Sequence, residues 1–307
     1  MGGNSLLILV FSVLMGMNIS GYAKSDQPNQ VNGFYTVNVK NISITVDANI
    51  GARIISFKID GNELLSSKEI NRGNYGSSLW LSPENKWNGQ GALDAGSYTV
   101  DLFDKENMRF TSKADSTRGF IFVKQFFANP ADTSVVIKYS ITNISSKAQE
   151  VAPWEVTRVR TGGLAMFPKG KLGDVPIKNK VYPLPAILDI DDIIWYPYDS
   201  SVKSSQKVFM NGSEGWIAYI YERAIFIKLF PVIEPSLSAP GEKNVEMYIN
   251  RDNAYQELEN QGAYQKLSPG QSLTYEVRWF AKQLPNGLKV DAGNPELPKF
   301  IRKIIRK

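Results

Sequence analysis

The fold is decided by residues 255–282, YQELENQGAYQKLSPGQSLTYEVRWFAK. Leu267-Ser268-Pro269-Gly270 is a turn, with Pro fixing φ and Gly supplying the permissive backbone. The residues on either side alternate, so the stretch reads as two strands. After the turn, Leu273, Tyr275, Val277 and Trp279 share one side of a strand. Before it, Glu257 and Glu259 point to one face. Two neighbouring carboxylates on one face repel unless they meet water, a cation or a ligand. Two readings are open: one of the pair is a general base, or one is exposed and the other pairs with a Lys or Arg of a neighbouring strand.

Working outward, the same alternation recurs along the chain. Phe34–Lys40 and Ile42–Asp47 form a first pair, and Asp60-Gly61 marks a hairpin. Ser97–Asp104, Asn107–Ser112, Gly119–Ala128 and Thr133–Asn143 read as a meander carrying Phe120, Phe122, Phe126, Val135, Ile137, Tyr139 and Ile141. Val151–Arg160, Ile193–Tyr198, Val208–Met210, Gly215–Tyr221, Ala224–Pro231 and Val245–Asn250 are further strands. Residues 169–192 form a polar excursion. Outside the tail no helical period exceeds about ten residues. The fold class is all-β, a large sandwich or a barrel of about fifteen strands or more.

Composition removes several chemistries. The chain of 307 residues contains no histidine and no cysteine. Histidine triads, His-ligated zinc, disulfides and thiolate metal sites are excluded, and no cofactor is expected. The acidic run Asp189, Asp191 and Asp192 leaves an oxygen-ligated metal open, although such runs in loops are usually just solvated. Proton transfer is left to Asp, Glu, Lys, Tyr or water. The net charge is +5, and the last nine residues, KFIRKIIRK, hold five bases and no acid. Without them the body is neutral, which gives no argument for nucleic acid. Residues 291–307 read as a basic tail with a short amphipathic helix. It either makes weak contact with an anionic envelope surface or docks by its isoleucines. Residues 1–23 carry no charged side chain and contain the apolar run Leu6–Met17, with small residues before Lys24. They read as a signal peptide, followed by a linker over 24–33 and one domain over 34–290. A monomer in a bacterial periplasm or outside the cell is expected.

Two further constellations stand out. Ser77–Gly96 has little periodicity yet carries Trp80, Glu84 and Trp87, a pattern that suits either a sugar-binding loop or a core-packed one. In Val151–Arg160, Trp154, Val156, Arg158 and Arg160 share one face, and Glu155 lies on the other. A Trp with two Arg suits a hydroxylated or anionic ligand, or a solvated face with ion pairs.

Gly51-Ala52-Arg53-Ile54 with Asp60-Gly61-Asn62-Glu63-Leu64-Leu65, and Leu258-Glu259-Asn260-Gln261 followed by Leu267-Ser268-Pro269-Gly270-Gln271-Ser272, are similar to segments of the galactose mutarotase-like (aldose 1-epimerase-like) superfamily. Over roughly residues 34–282 the chain resembles a branch of uncharacterised secreted bacterial proteins within it. The resemblance implies a β-supersandwich with a sugar cleft on one concave sheet. It puts Glu259 where the mutarotase glutamate takes the proton of the anomeric hydroxyl. The mutarotase histidines, one of which protonates the ring oxygen, have no counterpart, and Ala152-Pro153-Trp154-Glu155 falls where one would be expected. Arg53 belongs to the fold motif and carries no catalytic role. The expectation is a secreted protein that binds a sugar or oligosaccharide with little or no turnover. The alternative is an epimerase with Glu259 as base and Glu155, held protonated in an apolar setting, as acid. The expected substrate-binding set is Trp80, Glu84, Trp87, Trp154, Arg158 and Glu257.

Overall fold

The computed structural model describes residues 29–306 apart from 88, 103, 105–106, 171–186, 202–204 and 251–253. The signal peptide expected over 1–23 and most of the 169–192 excursion lie outside the described residues.

Alternating apolar residues build two large sheets, which pack face to face as a sandwich. The ten-stranded sheet centres on Ser134–Asn143 and Ser272–Gln283. Their register pairs Val135 with Trp279, Ile137 with Val277, Tyr139 with Tyr275 and Ile141 with Leu273. All eight side chains are buried in the main core. Burying each apolar one stabilises the sandwich by about 1.5–3 kcal/mol. Phe120–Asn129, Asn107–Ser112 and Tyr98–Leu102 extend this sheet on one side as the expected meander. Ala224–Leu229, Trp216–Tyr221, Leu164–Pro168, Ile193–Pro197 and Leu188–Ile190 extend it on the other.

The eleven-stranded sheet carries the site. Towards one edge it runs, in spatial order, Ser77–Ser82, Gln149–Val159, Gln256–Gln261, Val245–Ile249 and the edge strand Gln206–Met210. All four neighbouring pairs are antiparallel. The expected irregular segment 77–96 therefore needs correcting at its start. Ser77–Ser82 is an inner strand, and its alternation is hidden because both of its faces are covered. Only after Ser82 does the chain become irregular, with a 3-10 turn at Glu84–Lys86 and a short helix at Ala92–Ala95. The segment expected as a linker contributes the edge strand Asn29–Val31.

The helix Glu296–Ile305 docks on the outer face of the ten-stranded sheet. Leu297 and Ile301 join Ile225, Ile227, Trp216 and Phe280 in a second apolar cluster. The Arg302 guanidinium holds Glu214 through two hydrogen bonds of 2.8 and 2.6 Å. No helix among the described residues is long and apolar enough to cross a membrane.

Candidate functional site

Strand alternation sorts this half of the eleven-stranded sheet into two faces. The inner face meets the other sheet and carries Leu79, Leu81, Val151, Val159, Leu258 and Met247. The outer face carries a polar set. Register places Trp80 beside Trp154 and Trp154 beside Gln261. One step along, Val156, Glu259 and Glu246 align; a further step aligns Arg158, Glu257 and Tyr248. Lys207 sits opposite Tyr248 at the next strand.

On this outer face cations and aromatic rings alternate. The Lys207 ammonium lies 4.9 Å from the Trp154 ring centre. Trp154 and Trp80 meet edge to face at 5.3 Å, and the Arg158 guanidinium lies over the Trp80 ring at 4.7 Å. The carboxylates interleave with this row. Arg158 Nε donates to Glu257 at 2.8 Å. The Trp154 indole N–H donates to Glu259 Oε2 at 2.8 Å, and Lys207 reaches the same oxygen at 3.3 Å. Lys207 also pairs with Glu246 at 2.8 Å. Gln261 donates to both Glu246 and Glu242 at 3.0 Å. Ser82 donates to Glu242, whose other oxygen accepts the Glu84 backbone N–H at 2.6 Å.

Electrostatics follow from burial. Glu259 and Glu246 are fully buried. Burial lifts the Glu259 carboxyl well above the usual range, and Lys207 opposes it while Glu246 and Glu257 add to it. Glu246 is pushed up to about 7, by burial first, with Lys207 holding it down and Glu242 raising it. Burial works against the Lys207 ammonium, yet Glu246 and Glu259 more than offset that and hold it well above its ordinary value. Four polar atoms on this buried face make no hydrogen bond: Glu259 Oε1, Glu246 Oε2, Trp80 Nε1 and Arg158 Nη2, and of these Glu246 Oε2 still has the Lys207 ammonium at 2.8 Å. Buried polar atoms in native proteins are almost always paired, which makes these the atoms a ligand or water would have to satisfy.

Of the site residues expected from sequence, Trp80, Trp154, Arg158, Glu257 and Glu259 are brought together. Both members of the glutamate pair are buried and both find cations. Three assignments are corrected. Glu155 faces the interior, because it is one residue away from Trp154 on an alternating strand. There it accepts from Tyr139 at 2.6 Å and pairs with Lys228 of the opposite sheet at 2.9 Å. It is separated by the sheet from Glu259 and is no partner acid for it. Trp87 is a core residue, packed edge to face on Phe120 at 5.4 Å. The Glu84 side chain is exposed on the 3-10 turn, and only its backbone touches the cluster.

Sequence reading missed Lys207, Glu242, Glu246 and Gln261. Glu246 and Tyr248 do alternate with apolar residues in Val245–Asn250, which was a readable signal for a polar face. Lys207 falls just before the strand expected at Val208, and Glu242 reaches the site from a loop. Among the described residues no group of three or more Asp, Glu, His or Cys is arranged to hold a metal ion.

This architecture is that of the galactose mutarotase-like β-sandwich proteins. A candidate aldose 1-epimerase of Escherichia coli K12 superposes with a TM-score of 0.62 at 13% identity, covering 82% of this chain and 99% of the other. A galactose mutarotase-like protein of Lactobacillus casei gives 0.58 at 12% identity, over 81% and 100%. A galactose mutarotase related enzyme of Lactobacillus acidophilus gives 0.58 at 13%, over 83% and 99%. At these identities the likeness is one of fold. No curated protein matches the chain. The chain belongs to the DUF4380 family, described as a domain of unknown function, whose model matches residues 82–282.

Proposed function

We propose that this protein binds a sugar or oligosaccharide on the outer face of its eleven-stranded sheet, with little or no turnover. One observation carries the reading: Glu259 Oε1, Trp80 Nε1 and Arg158 Nη2 are all unpartnered on one face. A carboxylate oxygen accepts from a hydroxyl, the indole and guanidinium N–H groups donate to hydroxyls, and the Trp80 ring offers an apolar surface to sugar C–H groups. The half-buried Trp80 is the natural stacking platform. The mutarotase-like fold supports the same ligand class. A thermal-shift panel of mono- and oligosaccharides tests it. A sugar should raise the melting temperature of the wild type and not of Glu259→Gln; a panel without any stabilising sugar defeats the reading.

A second reading, an aldose 1-epimerase-type isomerase with Glu259 as base, is favoured by Glu246. A carboxyl pushed up to about 7 beside the base supplies a non-histidine proton donor, the role Glu155 cannot fill. Anomer exchange followed by NMR separates the two. Turnover predicts that wild type equilibrates α-glucose or α-galactose faster than buffer, and that Glu246→Gln and Glu259→Gln do not.

The apolar run before Lys24 and the absence of cysteine support a periplasmic or extracellular bacterial location for this activity. With Leu297 and Ile301 buried, contact of the tail with an anionic envelope surface would run through the exposed Lys299 and Lys303.

A further inference from the structure

We infer that the sugar taken by this face is an amino sugar, a hexosamine unit whose ammonium group sits against Glu259 and Glu246 while its ring lies on Trp80. The inference rests on the sugar-binding reading above and deepens it.

The charges on the face do not balance. Among the described residues four carboxylates converge: Glu242, Glu246, Glu257 and Glu259, each 9% exposed or less. Two cations meet them. Arg158 is engaged by Glu257, and Lys207 serves both Glu246 and Glu259. A buried site with more carboxylates than cations must hold protons, admit a cation, or both. Pairing is also incomplete at the atomic level. Glu259 Oε1 has no donor, and Glu246 Oε2 has only the shared, poorly aligned Lys207. Glu246 and Glu259 are cross-strand neighbours on one face, and both are fully buried.

An ammonium group meets both demands. It brings one positive charge and three N–H donors on one atom. A neutral hydroxyl donates once and leaves the charge excess in place. A phosphorylated or carboxylated sugar would add to the excess of negative charge. Among the described residues no three of these carboxylates are arranged to hold a divalent cation. The remaining polar atoms then serve the ring: Trp80 Nε1 and Arg158 Nη2 donate to its hydroxyls. Without ligand, the Glu246–Glu259 pair keeps a proton, consistent with the raised position of both carboxyls. When the ammonium arrives that proton leaves to solvent, so binding releases it.

Calorimetry on the full chain at pH 6.5 tests this, using glucosamine and galactosamine, their N-acetyl derivatives, and glucose and galactose. Repeating the titrations in buffers of different ionisation enthalpy counts the protons. The expected result is an amine preference of at least about tenfold over both the acetylated and the neutral sugar, with net proton release. In Glu246→Gln and Glu259→Gln, checked for folding by thermal melting, that preference should shrink to about twofold or less. Equal binding of neutral and amino sugars by the wild type overturns the inference while leaving the sugar reading intact. Tighter binding of glucose 6-phosphate or of calcium alone overturns it as well. No binding of any sugar defeats both readings together.

Discussion

Two glutamate–lysine clusters lie back to back on one sheet, and they are built oppositely. Glu155 and Glu259 sit on adjacent strands at neighbouring register positions, Glu155 opposite Asn260 and Glu259 opposite Val156. On the inner side Glu155 has Lys228, the Tyr139 hydroxyl and a longer contact from the Trp279 indole. Lys228 in turn donates to Thr157 Oγ1 and to the Leu258 carbonyl, at 2.7 and 2.9 Å. Every charged atom there is answered. On the outer side one lysine serves two carboxylates, and an oxygen of Glu259 is left over. The lysines record the difference. Lys228, with one acid and a dry setting, is held below its ordinary pKa by burial. Lys207 is held well above, because two acids outweigh its burial. The inner cluster joins two sheets, whereas the outer one leaves polar atoms unpaired. A saturated network rigidifies a core; the unsaturated one is where the proposed sugar would bind.

The largest expected effect breaks the inner cluster. Lys228→Met leaves Glu155 buried without its cation and should cost about 3–5 kcal/mol, read as a lowered denaturant midpoint at unchanged slope. Lys207→Met takes the cation from two fully buried carboxyls, but burial already holds both above the usual range so that they can take up protons, and the cost should be smaller, about 1–3 kcal/mol. Equal losses would show that the two clusters share one structural role.

The pH dependence of stability sharpens the contrast. Lys124 is another inner lysine; it donates to the Gly51 and Ala52 carbonyls, and burial pulls it down to about 7. Between about 7 and its ordinary 10.5 the unfolded chain binds more protons than the folded one. Stability therefore rises with pH across that window, by up to about 1.4 kcal/mol per unit. Glu246 acts in the other direction. Its folded value of about 7 lies above the ordinary 4.5, so the folded chain binds more protons between the two and stability falls as pH rises through that range. Lys124→Met should flatten the alkaline rise and Glu246→Gln the acidic fall, both measurable as melting temperature against pH.

Smaller effects concern the two tryptophans once paired by sequence. Trp80→Ala should weaken sugar binding about tenfold, the loss of one stacking platform. Trp87→Phe should cost about 1 kcal/mol of stability and leave sugar affinity unchanged. A binding defect in Trp87→Phe would bring the loop after Ser82 back into the site.

Much of the fold could be read directly. Val135, Ile137, Tyr139 and Ile141 alternate because their strand has one buried face, and Ser268-Pro269-Gly270 turns the chain by its own backbone preferences. Glu257 and Glu259 share a face because successive side chains of an extended strand point to opposite sides, although this strand is buried on both. Ser77–Ser82 was unreadable because a strand covered on both faces loses the alternation. Trp87 misled because an aromatic in an irregular segment looks the same whether it meets a ligand or Phe120.

The sequence by itself determined the all-β class, the absence of histidine chemistry, and which side chains share a face within one strand. These depend on composition and on the two-residue period of an extended backbone. Only the tertiary structure decided which charges meet. Lys228 reaches Glu155 across the gap between sheets, Lys207 and Glu246 meet Glu259 from other strands, and Glu242 reaches Ser82 and Gln261 from a loop. Pairing of that kind depends on sheet order and packing distance, which no local pattern encodes. Glu155 and Glu259 look alike as letters; the side of the sheet on which each was buried made one a strut and the other the centre of the candidate site.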